Sequence, residues 1–201
     1  MNINDNYNFL NKIVTNDYLH AKFLNTLSFL EYTGARKIVK SQDEKELNFE
    51  KLSHMSEEIR HALMFKKFSH KLCSNGLDYN EKGIFCYEVS RSYIKKIDDF
   101  CMNLMEKDLC YPVVSYIIEV RAIDLYRFYA DVLERNGIKL SLKSLIYEEE
   151  NHLKDMEEVV SKSIDQHIID SVRSFEAKLF SEFNYKINLE LNDESTLSVS
   201  V

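Results

Sequence analysis

Two short runs in this chain carry the same acidic pair followed by histidine: Glu57-Glu58-Ile59-Arg60-His61 and Glu148-Glu149-Glu150-Asn151-His152. Glutamate and histidine three residues apart lie about 60° apart around a helix, so Glu58 with His61, and Glu149 with His152, can point into one interior. Each run is preceded by a lone glutamate in an otherwise apolar stretch, Glu31 and Glu119. The order Glu, Glu-x-x-His, Glu, Glu-x-x-His restricts the fold sharply. Four helices must converge, and the ligand set they bring suits two first-row metal ions. With 20 Glu and 6 His in 201 residues, chance supplies on the order of 0.6 Glu-x-x-His matches, so one alone means little. Two such matches, each on an apolar stripe and each with a stripe glutamate about 28 residues upstream, form a specific signal.

One proline, four glycines and no tryptophan leave too few breakers for many short strands. The expectation is all-α, one domain over residues 1–201, with a core over about 16–162. A net charge of −7 disfavours a nucleic-acid partner. No apolar run reaches the roughly 18 residues of a membrane span. The first residues lack the pattern of a signal peptide, so a cytoplasmic location is expected. Cys73, Cys86, Cys101 and Cys110 are scattered, which supports neither a zinc–sulfur site nor a disulfide framework.

Apolar periodicity predicts a first helix over about 16–41, then a polar hinge over Ser41–Glu46. A second helix is expected over about 47–73, stopped by Asn75-Gly76. About 35 residues follow before the next ligand helix, with a helix of their own over about 88–107. Pro112 is expected in the first turn of the third ligand helix, which ends at Asn136-Gly137. Ser141 is the expected N-cap of the fourth. The turn near Gly137 must be extended if Glu119 and Glu149 are to stand level. A C-terminal helix over about 165–183 is expected to pack across one end, followed by a polar tail over about 188–201.

Four buried carboxylates without cations would be costly, whereas two divalent ions balance four negative charges. In metal-free protein some of these carboxyls should take up protons. Glu57 and Glu148 are candidates to accept a hydrogen bond from the non-ligating nitrogen of the histidine in the opposite motif. Tyr126, two turns after Glu119, reads first as a core tyrosine and second as a hydrogen-bond or electron donor to the site. His54, one turn before Glu58, reads as a surface or core-edge residue rather than a seventh ligand, and Arg60 and Arg121 as solvated or salt-bridged. Gly34, Ala35 and Ala122 leave room for either close helix packing or a substrate.

Glu31, Glu58, His61, Glu119, Glu149 and His152 together resemble the ligand constellation of the ferritin-like di-iron carboxylate superfamily, over about residues 16–160. The resemblance implies a four-helix bundle with a long crossover between the second and third helices and an extra C-terminal helix. It makes those six residues the metal ligands and the catalytic centre. Ala122 stands where rubrerythrins carry a further glutamate, and Ile59 where bacterioferritins carry a haem-binding methionine. The layout is similar instead to small di-iron oxygenases of the aldehyde-deformylating and transfer-RNA-hydroxylating kind. The implied function is an oxidoreductase that activates O₂ at a carboxylate-bridged pair of iron ions, with Mn or a mixed Fe/Mn pair as alternatives, and oxidises a small or apolar organic substrate. The alternatives are a ferroxidase or peroxide-detoxifying protein without organic substrate, and a metal-stabilised bundle with no enzymatic role. Implied partners are O₂ or peroxide, a small apolar substrate, an electron donor and a second copy of the chain in a homodimer.

Overall fold

The computed structural model of the protein describes residues 3–41 and 47–197, and among them there are seven helices and no strand. They are α1 (Ile3–Val14), α2 (Asp17–Ser41), α3 (Phe49–Leu72), α4 (Tyr87–Met102), α5 (Lys107–Arg135), α6 (Lys143–Ser163) and α7 (Gln166–Leu197). The all-α expectation holds. Apart from Ser41, the last residue of α2, the expected polar hinge lies outside the described residues. None of the described helices is long and apolar enough to cross a membrane.

Contact register gives the helix directions. Ser69 Oγ donates to the Ala21 carbonyl (2.8 Å) and Ser28 Oγ to the Ala62 carbonyl (2.6 Å), so α2 and α3 run antiparallel. Across α3 and α6, His54 meets the ring of His152, Glu57 bonds His152 and His61 bonds Glu148, again in opposite order. Across α3 and α5, His54 faces Glu119 and Phe65 faces Tyr126, in the same order, so these two run parallel.

A parallel pair needs the chain carried back from one end to the other, and residues 73–106, which include α4, do this. The connection is pinned by polar groups buried on α2. Asn25 Nδ2 donates to the carbonyls of Asp78 (3.0 Å) and Gly83 (2.8 Å), and Thr26 Oγ1 accepts from the Phe85 N–H (2.9 Å). These bonds explain why Asn25 and Thr26 are buried without penalty. At Gly83 a Cβ would meet the Asp78 carbonyl at 2.1 Å, so only glycine closes this turn. Cys86, with φ 46°, begins α4 in the left-handed region, and its N–H donates to Glu190 Oε2 (2.9 Å).

Two apolar clusters form the core. One gathers Leu10, Ile13, Leu24, Phe65, Tyr129 and Leu133, among others, from α1, α2, α3 and α5. The second lies among α4, α5, α6 and α7 and includes Ile97, Val113, Ile117 and Val172. Phe180 packs against both. Each fully buried side chain of this size contributes about 1.5–3 kcal/mol.

Several local expectations are corrected. α1 precedes the first expected helix and buries Phe9, Leu10, Ile13 and Val14. α5 begins at Lys107, so Pro112 lies inside the helix rather than in its first turn. Ser141 does not cap α6. The cap position is Leu142, which is buried and makes no side-chain cap bond, so apolar anchoring replaces a polar cap. The seven-residue stretch 136–142 supplies the extended turn that keeps α5 and α6 in step. α7 does not cross one end of the molecule. It packs along α4 and α5, with Glu176 bonded to Arg121 (2.7 and 2.8 Å) and to Tyr93. It also continues through the expected polar tail to Leu197, because Phe183, Ile187 and Leu191 extend its buried stripe. Residues 198–201 lie outside the described residues.

Candidate metal centre

Glu31 on α2, Glu58 and His61 on α3, Glu119 on α5, and Glu149 and His152 on α6 come together in the interior between the four helices. All are buried except His152, which is partly so. Their ligating atoms fall into two groups: Glu58, Glu119 and His152 with His54, and Glu31, His61 and Glu149. Within each group these atoms lie within 4.8 Å of one another. Metal–ligand bonds of about 2.1 Å in an octahedral shell put donors roughly 3 Å apart when adjacent and about 4.2 Å apart when opposite, which these groups accommodate.

The histidines are aimed from outside. His61 donates from Nε2 to Glu148 Oε2 (2.7 Å) and His152 from Nε2 to Glu57 Oε2 (2.5 Å), since carboxylates only accept. Both rings therefore present Nδ1 to the centre. His152 Nδ1 lies 3.1 Å from Glu149 Oε2. His61 Nδ1 lies 2.9 Å from Glu149 Oε1, yet off the direction a hydrogen bond needs, and it ends buried without a hydrogen-bond partner. A buried imidazole nitrogen facing carboxylates with no bond of its own fits a cation between them. Arg60 clamps Glu148 through both terminal nitrogens (3.0 Å each), which makes it part of the support for His61.

Protons take the place of cations in the electrostatics. Burial first, and then the neighbouring carboxyls, push Glu58 and Glu119 well above the usual carboxylate range. Glu31 beside Glu58 and Glu149 beside Glu119 add to this upward push. Burial opposes the charge on Glu149, but His152 and His61 outweigh it and hold the carboxyl below its usual range. Burial likewise favours a neutral His61, yet the Glu149 and Glu31 carboxyls push it up to about 11.

Tyr126 is buried and its hydroxyl donates to Glu31 Oε1, so it is a direct partner of the centre rather than plain core. His54 is corrected more sharply. It is buried, its Nε2 lies 3.2 Å from Glu58 Oε1 and 3.4 Å from Glu119 Oε1, and its ring packs on His152 at 4.0 Å. The signal that marks it in the sequence is its spacing, four residues before Glu58 and seven before His61.

Gly34 has a specific part in this packing. A Cβ there would lie 2.6 Å from Glu58 Oε2 and 3.3 Å from Glu58 Cδ. The Gly34→Ala protein is expected to melt at or above the wild-type temperature, since alanine is worth roughly 1 kcal/mol over glycine inside a helix. Its displaced Glu58 carboxylate should weaken Fe²⁺ binding about tenfold. Thermal melts beside anaerobic titrations check both halves.

Two spaces reach the centre. An apolar cavity of about 120 Å³ abuts Glu31, Glu58 and Glu119, with Leu27, Leu30, Ile118, Ala122, Leu125 and Phe183 among its walls. A wider groove of mixed polarity, about 1570 Å³, approaches from the side of Glu57, Glu148 and His152. Comparison of the chain with protein families, with curated proteins and with solved structures finds no match.

Proposed function

We propose that this protein is a di-iron oxidoreductase of ferritin-like layout, which activates O₂ and turns it on an apolar organic substrate held beside the metals. The observation that carries this reading is the apolar cavity in contact with the buried carboxylates. An iron-storing or metal-stabilised bundle has no need of an apolar cavity at its metal centre. Antiparallel α2/α3 and α3/α6 with parallel α3/α5 are compatible with the ferritin-like crossover topology. Glu31, Glu58, His61, Glu119, Glu149 and His152 would hold the metals, with iron first and manganese or a mixed pair as alternatives. Two ferrous ions would supply electrons for the reduction of O₂.

The chain's own residues do the rest. Glu57 and Glu148 fix the histidine rings through their Nε2 protons. Tyr126 keeps a proton on its hydroxyl toward Glu31, burial and the adjacent carboxyls holding the phenol well above its ordinary range. The walls around Ala122 and Phe183 exclude water and position an apolar chain.

Anaerobic Fe²⁺ titration should saturate near two equivalents per chain, and the ferrous protein should consume O₂ faster with octane or octanoate present. Ala122→Phe fills the cavity, so it should abolish the octane-dependent part and leave iron loading intact. Absence of binding near two equivalents sinks the metal reading. O₂ consumption indifferent to either probe, with ferric iron accumulating, assigns the protein to iron handling instead.

A further inference from the structure

We propose that His54 is a seventh metal ligand and that it makes the two metal positions unequal. The inference rests on the dinuclear reading above. Without His54 the two groups of donors match: Glu58, Glu119 and His152 on one side, Glu31, Glu149 and His61 on the other, each two carboxylates and one imidazole. With it, the first position has two imidazoles and two carboxylates.

The geometry favours a ligand over a supporting hydrogen-bond donor. The two supporting contacts in this centre are short and one-to-one, His61 to Glu148 at 2.7 Å and His152 to Glu57 at 2.5 Å. Such charge-assisted bonds are about 2.7–2.9 Å. His54 Nε2 instead makes one longer hydrogen bond, to Glu58 Oε1 at 3.2 Å, and stands 3.4 Å from Glu119 Oε1 on another helix, so neither contact is of that short kind. Those are separations of adjacent donors around one ion, roughly 3 Å. His54 is also the third member of the run His54, Glu58, His61, which one face of α3 turns to the centre. The opposite position has three donors, with His61 its single imidazole beside Glu31 and Glu149.

Unequal positions have a functional meaning. The position with two imidazoles binds the first ion and is the more saturated. The position of Glu31, His61 and Glu149 binds second and retains vacant coordination sites. Donors of both positions line the apolar cavity, Glu31 and Glu149 of this one and His54, Glu58 and Glu119 of the other.

Co²⁺ titration of the full chain tests this. Wild type should bind two Co²⁺ in two steps of different affinity, and His54→Gln should weaken the tighter step at least tenfold while its metal-free melting stays near wild type. Paramagnetic NMR of Co²⁺-loaded, histidine-labelled wild type should show three hyperfine-shifted imidazoles, and His54→Gln two. The wild-type count decides the matter even if the variant does not fold: two shifted imidazoles overturn the inference, three support it. Wild type that binds two ions, with His54→Gln unchanged in both steps, overturns His54 as ligand and spares the dinuclear reading. Wild type that binds no Co²⁺ overturns both.

Discussion

Glu149→Ala is expected to lower affinity for both Fe²⁺ ions by on the order of 100-fold or more, the largest loss of any single substitution in the centre. Glu149 is 1% exposed and is the one carboxylate that faces both histidines, with Oε1 2.9 Å from His61 Nδ1 and Oε2 3.1 Å from His152 Nδ1. It also interacts with the Glu119 carboxyl, which belongs to the other group of donors. Removing it takes a donor from one position and the carboxylate that faces both Nδ1 atoms from the pair. Glu58→Ala touches one group directly and should cost less. Anaerobic titration of the two variants against wild type ranks them, and equal retention of binding by both would remove the metal centre from consideration.

Metal-free protein is expected to lose stability as pH rises above about 6.5, and metal-loaded protein is not. Glu58 and Glu119 have folded-state pKa values raised by burial and by neighbouring carboxyls. A carboxyl raised in the folded state stabilises below its unfolded value and loses that contribution as pH climbs through the folded one. His61, up at about 11, acts in the same sense: its contribution is complete below 6.5 and is lost between there and 11. Glu149 and His54 are among the groups that oppose this on the acid side. Glu149, held low, stabilises above the ordinary carboxylate range and ceases to do so as pH falls through its folded value. His54, lowered to about 4 by burial and by His152, costs stability as pH falls from 6.5 to 4. Each extra bound proton is worth about 1.4 kcal/mol per pH unit. The melting temperature in chelator should therefore fall between pH 6.5 and 9, and Glu58→Gln should flatten the fall. Loading should release protons, so titration heats should differ between buffers of different ionisation enthalpy. A flat alkaline limb in chelator contradicts proton uptake by Glu58, Glu119 and His61 on folding.

The parts legible in the sequence are those where one residue type has no other reason to be where it is. A glutamate in an apolar stripe, as at Glu31 and Glu119, is conspicuous because burial is expensive, and the Glu-x-x-His spacing follows from helix geometry alone. Gly76 and Gly137, both at positive φ, mark helix ends for a similar reason. His54 is hidden because imidazole is at home on either side of a helix, and the adjacent Met55, half-buried, offers an apolar residue for the same stripe. α1 is obscured by its asparagines, although Phe9, Leu10, Ile13 and Val14 keep a helical period. Asn184 and Asn188 suggest an early end to α7, while Phe183, Ile187 and Leu191 carry the buried stripe past them. The cavity cannot be read from sequence at all. It depends on how α7 lies against α5, which sets Phe180 and Phe183 opposite Ala122, and local periodicity says nothing of that docking.

The two motifs do not each look after their own histidine. Glu57 of one motif bonds His152 of the other, and Glu148 bonds His61 in return. A lone α3 or a lone α6 therefore has its donors but no means of aiming them. On the proposed metal reading, competence for a cation appears only when the two helices, 91 residues apart at Glu58 and Glu149, have docked. The exchange works as an interlock on the order of assembly: a half-formed chain offers no finished cradle for a stray ion, and a completed one confirms its own closure.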